Sequence, residues 1–231
     1  MVRFLIFKLI IFNQYFFEFM DKDLSSFRKS YLKGVLTEKD IPENPIELFS
    51  HWFDFIQSKN IESETNAMSL STIDISNKPV TRIVLLKKFS NDGFVFFTNY
   101  NSRKGKAINI NPNVCLSFFW ASTEQQVIIN GIASKVDKKD SDIYFNSRPK
   151  GSQLGAIVSN QSEIINSRDV LDKKLEELSK IKSILQRPNN WGGYIVEPYS
   201  IEFWQGRDNR LHDRILYKKE KNIWNFARLS P

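Results

Sequence analysis

Cysteine and histidine are the scarcest reactive residues of this sequence. Its 231 residues include one cysteine, Cys115, and two histidines, His51 and His212. One cysteine cannot form a disulfide within the chain, and these few ligands do not make a zinc site, so we expect no bound metal. The low cysteine count agrees with a reducing compartment, and we expect a cytoplasmic protein.

The common nucleotide-binding and hydrolase motifs are also missing. The sequence contains no G-x-G-x-x-G, no G-x-x-x-x-G-K-[ST] and no G-x-S-x-G. A Ser-His-Asp hydrolase would have to rely on His212, and no serine is marked out for it. The longest uncharged run near the N-terminus, residues 9–17, is far shorter than the roughly 20 residues of a spanning helix, so we expect no membrane partner.

The sequence contains fewer acidic than basic residues. The formal net charge is +7 and the pI is about 9.3, which favours anionic partners. The lysines are spread along the chain, with no basic tail, and this favours a small anion over nucleic acid. A nucleic-acid-binding barrel remains an alternative. It would need exposed aromatics interleaved with Lys and Arg, whereas most aromatics here alternate inward, so we expect no nucleic-acid partner.

Composition divides the chain into three segments. Residues 1–19 are apolar but carry three charges, and we interpret them as an apolar leader or a misassigned start, since Met20 precedes an ordinary polar beginning. Residues 20–43 are polar and irregular, which predicts a mobile N-terminal arm. Residues 44–231 show no repeat and no low-complexity linker, and we expect them to form one domain.

Strands dominate the predicted structure of that domain. Asn44 and Pro45 are typical of a helix start, and apolar residues then recur at helical spacing to Ile56. Further helices are predicted over 102–110, 138–147 and 168–185. Period-2 patterns predict strands over 67–75, 80–87, 94–98, 114–120, 126–136, 194–197, 201–204, 215–218 and 223–226. Because no βαβ alternation occurs, we expect a β-barrel with peripheral helices, of the α+β class.

The clearest candidate anion site follows the strand that ends at Thr98. Ser102 can cap the next helix, and Arg103 and Lys104 occupy its first turn. Free N–H groups, the helix dipole, a hydroxyl and two cations would meet there, which suits a phosphate. Cations in the first turn oppose the dipole, so a purely structural helix would not favour them. This pattern indicates function.

A second candidate is the segment 210–214, in which Arg210, His212 and Arg214 alternate with other residues. Period-2 spacing predicts an extended segment with these three side chains on one side, a receptor for a phosphate or a developing negative charge. A solvated basic strand edge explains the same residues equally well. Arg82 and Lys87 end another strand, where solvated strand ends are the simpler interpretation.

Weaker signals lie between these sites. Tyr144, Arg148 and Ser152 offer a phenol, a guanidinium and a hydroxyl near a helix end, which suits a second phosphate. Gln161 and Ser162 offer neutral hydrogen-bonding groups that suit a heteroaromatic ring.

In order along the chain, these segments resemble the pyridoxine (pyridoxamine) 5′-phosphate oxidase family, from about Phe27 to Pro231. The residues that carry the resemblance are Arg82-Ile-Val-Leu-Leu-Lys87, Thr98-Asn99, Ser102-Arg-Lys104, Gln126-Val127, Tyr144-Phe145, Ser147-Arg-Pro149, Gln153-Leu-Gly-Ala156, Gln161-Ser162, Trp191-Gly-Gly193, Glu202-Phe-Trp-Gln-Gly206, Arg210-Leu-His-Asp-Arg214 and Arg228-Leu-Ser-Pro231.

The resemblance implies a homodimeric split β-barrel with FMN at the subunit interface. It implies oxidation of pyridoxine or pyridoxamine 5′-phosphate to pyridoxal 5′-phosphate by hydride transfer to FMN, with O₂ reduced to H₂O₂. The FMN site it implies comprises Arg82, Ile83, Val84, Leu85, Leu86, Lys87, Phe97, Thr98, Arg103, Lys104, Gln126, Gln161, Ser162, Trp204 and Arg214, some of them from the partner subunit. Phe97 stands where the family often has Tyr.

The same resemblance implies the substrate site. Lys87, Tyr144, Arg148 and Ser152 would bind the substrate phosphate, while Arg210 and His212 would be catalytic residues over the substrate ring. Arg28 and Tyr31 resemble a lid over the bound substrate. An alternative on the same fold, a flavin-binding barrel that acts on another substrate, would keep the Ser102-Arg103-Lys104 site and lack this substrate set.

Overall fold

The computed structural model describes residues 22–180 and 184–231. The chain divides into two units, Met1–Tyr31 and Leu32–Pro231. The predicted leader, residues 1–19, lies outside the described residues, so its interpretation stays a prediction, as does the mobility of the arm. In the first unit, Ser25 donates its backbone N–H and its hydroxyl to the Asp23 carboxylate. The elements described below belong to the second unit.

In the part of the chain that the structure describes, nine strands form one antiparallel sheet. They are β1 Ala67–Ile73, β2 Pro79–Leu85, β3 Lys88–Ser90, β4 Gly93–Asn99, β5 Asn113–Trp120, β6 Gln125–Lys135, β7 Trp191–Gln205, β8 Asp213–Glu220 and β9 Ile223–Arg228. The order across the sheet is β2-β1-β5-β6-β7-β4-β3, and β8 and β9 extend from β7. Strand β2 pairs with β1 alone within this sheet, which makes it an edge strand with backbone groups available on one side.

Within the described residues, five helices accompany the sheet. They are α1 Pro45–Lys59, α2 Arg103–Ile110, α3 Lys138–Ser147, α4 Lys150–Val158 and α5 Asp169–Ser179. Asn44 caps α1 by accepting a hydrogen bond from the Ile46 N–H at 3.0 Å, as the sequence predicts. The expected β-barrel with peripheral helices is confirmed.

The core lies between α1 and one face of the sheet. Phe49 on α1 is fully buried, and its ring lies 4.9 to 5.2 Å from the rings of Phe89, Phe94 and Phe118. Edge-to-face geometry of this kind adds to the burial of the rings. The helical apolar stripe from Ile46 to Ile56 therefore faces the sheet, while His51 on the other side is exposed, as expected.

The predicted secondary structure needs three corrections. Strand β7 is continuous from Trp191 to Gln205, although two separate strands were predicted, because β7 takes up one extra residue, Tyr199, in a bulge opposite Asn130 and Gly131. Helix α4 was missed, since Gly151 and Gly155 weaken its helical signal. The helix predicted over 168–185 ends at Ser179, and residues 181–183 lie outside the described residues.

Close packing explains the two glycines that begin β7. A Cβ on Gly192 would lie 2.2 Å from the Tyr100 hydroxyl, and one on Gly193 would lie 2.8 Å from the Phe97 ring. The Tyr100 hydroxyl in turn donates to the Gly193 carbonyl at 3.1 Å. The glycines thus let β7 approach β4 closely enough to bring Trp191 beside Phe97.

Candidate functional site

A stack of aromatic rings forms one wall of the site. Phe97 on β4 lies 3.9 Å, centroid to centroid, from Tyr144 on α3, and 5.8 Å from Trp191 on β7, with nearly parallel planes. Burial raises the pKa of the Tyr144 phenol, so it stays protonated at neutral pH. Trp191 was not among the predicted site residues, although its two following glycines were a signal of close packing.

Lys104 is the most unusual charged residue of the site. Its ammonium is buried and donates to the Thr98 hydroxyl at 3.0 Å, the Ser102 hydroxyl at 3.3 Å and the Gln161 carbonyl oxygen at 2.9 Å. All three partners are uncharged. Burial, and then the positive charge of Arg82, lowers the pKa of Lys104 from 10.5 to about 8. A buried cation without a carboxylate is expensive, and a bound anion would compensate it.

Helix capping explains how Lys104 reaches this position. The Ser102 hydroxyl donates to the Asn99 carbonyl at 2.6 Å and accepts from the Gly105 N–H at 3.3 Å, so it begins α2 directly after β4. Thr98 at the end of β4 and Lys104 in the first turn then face the same point. The predicted meeting of strand end, cap and cation is confirmed for these two side chains.

Arg103 takes a different direction from its neighbour. Its guanidinium is largely exposed and forms an ion pair at 3.0 Å with Asp74 in the β1–β2 turn. Arg82 donates to the Leu70 carbonyl at 3.0 Å and to the Thr72 hydroxyl at 2.8 Å. Burial and the charge of Arg103 lower the pKa of Arg82. Of these two cations, Arg82 adds positive potential at Lys104.

A cavity of about 400 Å³, which we call the cationic cavity, adjoins Lys104. Lys87, Lys104 and Arg148 are its charged lining residues, and no carboxylate is among the described residues that line it. Its lining comprises eleven of the predicted site residues, namely Ile83, Val84, Leu85, Lys87, Phe97, Thr98, Lys104, Tyr144, Arg148, Ser152 and Gln161, together with Pro149 and Trp191.

The end of β2 explains why Lys87 reaches the cavity. Residues five apart on a regular strand face opposite sides, but β2 ends at Leu85, and the Lys87 N–H then bonds to the Val95 carbonyl of β4 at 2.8 Å. Leu86, also predicted to be a site residue, is buried in the core instead of lining the cavity.

Arg148 is a second feature of the cavity that suits an anion. Its Nη1 is buried and has no hydrogen-bond partner among the described residues. Burial lowers the pKa of this guanidinium, which lies 4.6 Å from the Trp191 ring. A buried donor without a partner costs about 1–3 kcal/mol, so a ligand oxygen in the cavity would stabilise it.

Five of the other predicted residues form a separate group on the same chain. Gln126, Trp204 and Arg214 are cross-strand neighbours on β6, β7 and β8, so their side chains share one face of the sheet. Arg214 is paired with Glu202 at 2.7 Å. We call Gln126, Trp204, Arg210, His212 and Arg214 the outer group. None of them is among the described residues that line the cationic cavity.

The prediction of an extended segment over 210–214 is wrong. Asp208–Arg210 forms a 3₁₀ turn, in which Asn209 and Arg210 have φ values of 54° and 63°, and β8 begins only at Asp213. The tight turn places His212 against Trp204, with ring centroids 4.7 Å apart. Period-2 reasoning failed because two successive left-handed residues reverse the chain.

The described residues that line the cavity do not include Ser162, Arg28 or Tyr31. Ser162 has a φ of 75° in the turn after Gln161 and is exposed. Arg28 and Tyr31 belong to the first unit, so their role as a lid stays a prediction. Among the described residues, no group of three or more His, Cys, Asp or Glu side chains could hold a metal. Within those same ranges, no helix is long and apolar enough to cross a membrane.

Comparison with known proteins agrees with this geometry. Residues 56–182 match the family described as pyridoxamine 5′-phosphate oxidase, and residues 191–231 match the pyridoxine 5′-phosphate oxidase C-terminal dimerisation region. A pyridoxine/pyridoxamine 5′-phosphate oxidase of Flavobacterium johnsoniae is 58% identical over 212 residues, which cover 90% of this chain and 99% of the relative.

Solved structures show the same fold. PhzG from Burkholderia lata, in complex with tetrahydrophenazine-1-carboxylic acid, superposes with a TM-score of 0.80 at 27% identity and covers 85% of this chain and 98% of its own. A related FMN-binding protein from Nostoc punctiforme reaches a TM-score of 0.65 at 14% identity, covering 86% of this chain and all of its own. With family models that match most of its length and a relative 58% identical, the chain belongs to the pyridoxamine 5′-phosphate oxidase family.

Proposed function

We propose that the protein is an FMN-dependent oxidase that converts pyridoxine or pyridoxamine 5′-phosphate to pyridoxal 5′-phosphate, with O₂ reduced to H₂O₂. The observation that carries this proposal is the cationic cavity, in which the Lys104 ammonium and Arg148 Nη1 are buried and no described lining residue is a carboxylate. Two phosphates, one on the cofactor and one on the substrate, would compensate them. Aerobic turnover of the phosphorylated substrate, compared with pyridoxine itself, tests it.

The residues of the cavity fit FMN. Lys104 and Thr98 would bind its phosphate, and Gln161, which now accepts from both, would be free to turn toward the ligand. The outer edge of β2 offers backbone groups of Ile83, Val84 and Leu85 to the polar rim of a planar ring. When bound, FMN supplies the two-electron oxidation, which no side chain of the chain can perform.

The substrate phosphate belongs at the other side of the cavity. Arg148 and Lys87 supply charge, Ser152 supplies a hydroxyl from the first turn of α4, and Tyr144 supplies a protonated phenol. The unpartnered Nη1 of Arg148 is ready to donate to a phosphate oxygen without losing an existing bond. These groups bind and orient the substrate, and burial excludes water from it.

A second copy of the chain would complete each site. Trp204, Arg210, His212 and Arg214 all lie within the matched dimerisation region, residues 191–231, yet none of them is among the described residues that line the cavity of their own chain. In a homodimer, we place the outer group of one copy over the cationic cavity of the other. Arg210 would then stabilise charge at the reacting carbon, and His212 would contact the substrate ring.

Mixed dimers test this arrangement. Lys104→Met disables the cavity and Arg210→Ala disables the outer group, so each homodimer of a single variant is expected to be inactive. Co-refolding equal amounts should restore about a quarter of wild-type activity, since half of the dimers are mixed and each holds one intact site. Recovery no greater than the sum of the separate variants would mean that each site is built from one chain.

Cofactor affinity is expected to fall at alkaline pH. Because the pKa of Lys104 is about 8, lowered first by burial, the free protein loses this proton as the pH rises through 8. Phosphate binding needs the ammonium, so above that pH the dissociation constant for FMN should rise by up to about tenfold per pH unit. Quenching of flavin fluorescence from about pH 7 to about pH 9.5 measures it. Lys104→Arg, which keeps its charge, should flatten the curve, and a flat wild-type curve would contradict the account.

A further inference from the structure

Intrinsic backbone preferences do not stabilise the conformation of the loop that carries Arg210 and His212. Asn209 and Arg210 are both left-handed, at φ values of 54° and 63°, and such residues cost of order 1 kcal/mol each outside glycine. Gly206 donates its N–H to the Glu124 carbonyl at 2.8 Å, which fixes the start of the loop. Contacts at its other end must therefore fix the position of His212.

A backbone hydrogen bond determines the state of the His212 ring. The Arg207 N–H donates to His212 Nδ1 at 3.1 Å. Nδ1 accepts through its lone pair, so a neutral imidazole in this position carries its proton on Nε2. Burial, and then the charge of Arg210, lowers the pKa of His212, while Asp213 acts in the opposite direction. The ring is therefore neutral at physiological pH.

The side chain of Arg207 is held by the residue that follows His212. Arg207 Nη1 lies 2.7 Å from Asp213 Oδ2, and the Asp213 side chain is only 14% exposed. Asp213 also accepts from the Leu36 N–H at 3.1 Å and from Arg228 Nη1 at 2.9 Å. Burial works to raise the pKa of Asp213, but these donors outweigh it and the pKa lies below its ordinary value. The Asp213 carboxylate therefore stays ionised. Hydrogen bonds hold the loop at its start, through Gly206, and at its end, through Asp213.

We infer that Asp213 is a positioning residue which, through Arg207, holds His212 as the Nε2-protonated tautomer. His212 then offers a hydrogen-bond donor to the substrate, and it does not act as a base through Nε2. The inference rests on the proposed function for the identity of the substrate, and it adds which nitrogen carries the proton. With the proton on Nδ1, two N–H groups would face each other between Arg207 and His212.

The chain is well suited to a direct test, because it contains only two histidines. His51 is exposed on α1, far along the chain from the site, so His51→Gln leaves His212 as the one source of imidazole signals. The FMN-loaded protein with ¹⁵N-labelled histidine is then examined by long-range ¹H–¹⁵N spectroscopy near neutral pH. We expect a protonated Nε2 and an unprotonated, hydrogen-bonded Nδ1.

Two variants test the role of Asp213. Asp213→Asn and Arg207→Gln both remove the ion pair, and each should shift the ¹⁵N signals toward an exchanging mixture of tautomers and lower kcat by about 10-fold. Arg207→Gln keeps the bonds of Asp213 to Leu36 and Arg228, so it remains informative if Asp213→Asn folds poorly. Glu197→Gln, which removes an exposed ion pair with Lys219 on the same sheet, is the control and should change neither signal nor kcat.

The test distinguishes failure of the inference from failure of the proposed function. A wild-type ring protonated on Nδ1, or variants with unchanged ¹⁵N signals, would overturn the inference. If the predicted ¹⁵N signals are observed but the protein does not oxidise pyridoxine 5′-phosphate, the inferred positioning of His212 is correct and the proposed function is wrong.

Discussion

Replacement of Lys104 by methionine is expected to raise the dissociation constant for FMN by about 100-fold, so that the variant purifies without yellow colour. The ammonium is buried, its three partners are uncharged, and the cofactor phosphate is the anion that compensates it. Methionine keeps the length and apolar stem of the side chain while it removes the charge.

Lys104→Met is not expected to lower the stability of the protein without FMN, although it weakens FMN binding. A Lys whose pKa is lowered to about 8 is destabilised in the folded state at neutral pH, since the unfolded chain holds the proton more strongly. Lys104→Met should therefore keep or raise the melting temperature without cofactor. Lys106→Met, on the exposed side of the same helix, is the matched control. A Lys104→Met protein that stays yellow, with unchanged FMN affinity, would show that the phosphate binds elsewhere.

The second large effect is expected at Arg148. Arg148→Met should raise KM for pyridoxine 5′-phosphate by about 100-fold, because a buried charge-assisted contact to the phosphate is lost. FMN affinity and the slow turnover of unphosphorylated pyridoxine should change little, since neither depends on this contact. Steady-state kinetics with both substrates, and a flavin titration, measure the three quantities.

The control for Arg148 lies two residues away. Lys150 is exposed at the start of α4, and Lys150→Met removes the same charge without touching the cavity lining. If Arg148→Met lowered FMN affinity and left KM unchanged, Arg148 would belong to the cofactor phosphate, and the division of the cavity into two phosphate sites would be wrong.

Local chemistry made part of the site predictable. Ser102 and Lys104 follow a strand that ends at Thr98, and capping preferences alone place the hydroxyl and the ammonium at one helix start. The period-2 strands were predicted for the same reason, because alternation reflects one buried face. These features depend on neighbours within a few residues, and sequence records such neighbours directly.

Features that depend on distant contacts were not predictable. The Arg103 side chain turns to Asp74, which lies 29 residues earlier, and the sequence does not record that pairing. The turn at Asn209 and Arg210 uses backbone angles that these residues seldom adopt, so an extended segment was the natural and wrong expectation. Asp213 was seen only as part of a motif, because its partners Leu36 and Arg228 come from opposite ends of the chain.

The decisive measurement is the aerobic oxidation of pyridoxine 5′-phosphate by the purified, FMN-loaded protein. Pyridoxal 5′-phosphate and H₂O₂ are measured in the same sample, and we expect them to form in equal amounts, with pyridoxine itself a far poorer substrate. A yellow protein that forms neither product would show that the proposed oxidase activity is wrong. The flavin site would then stand, but the assignment of Tyr144, Arg148 and Ser152 to a substrate phosphate would not.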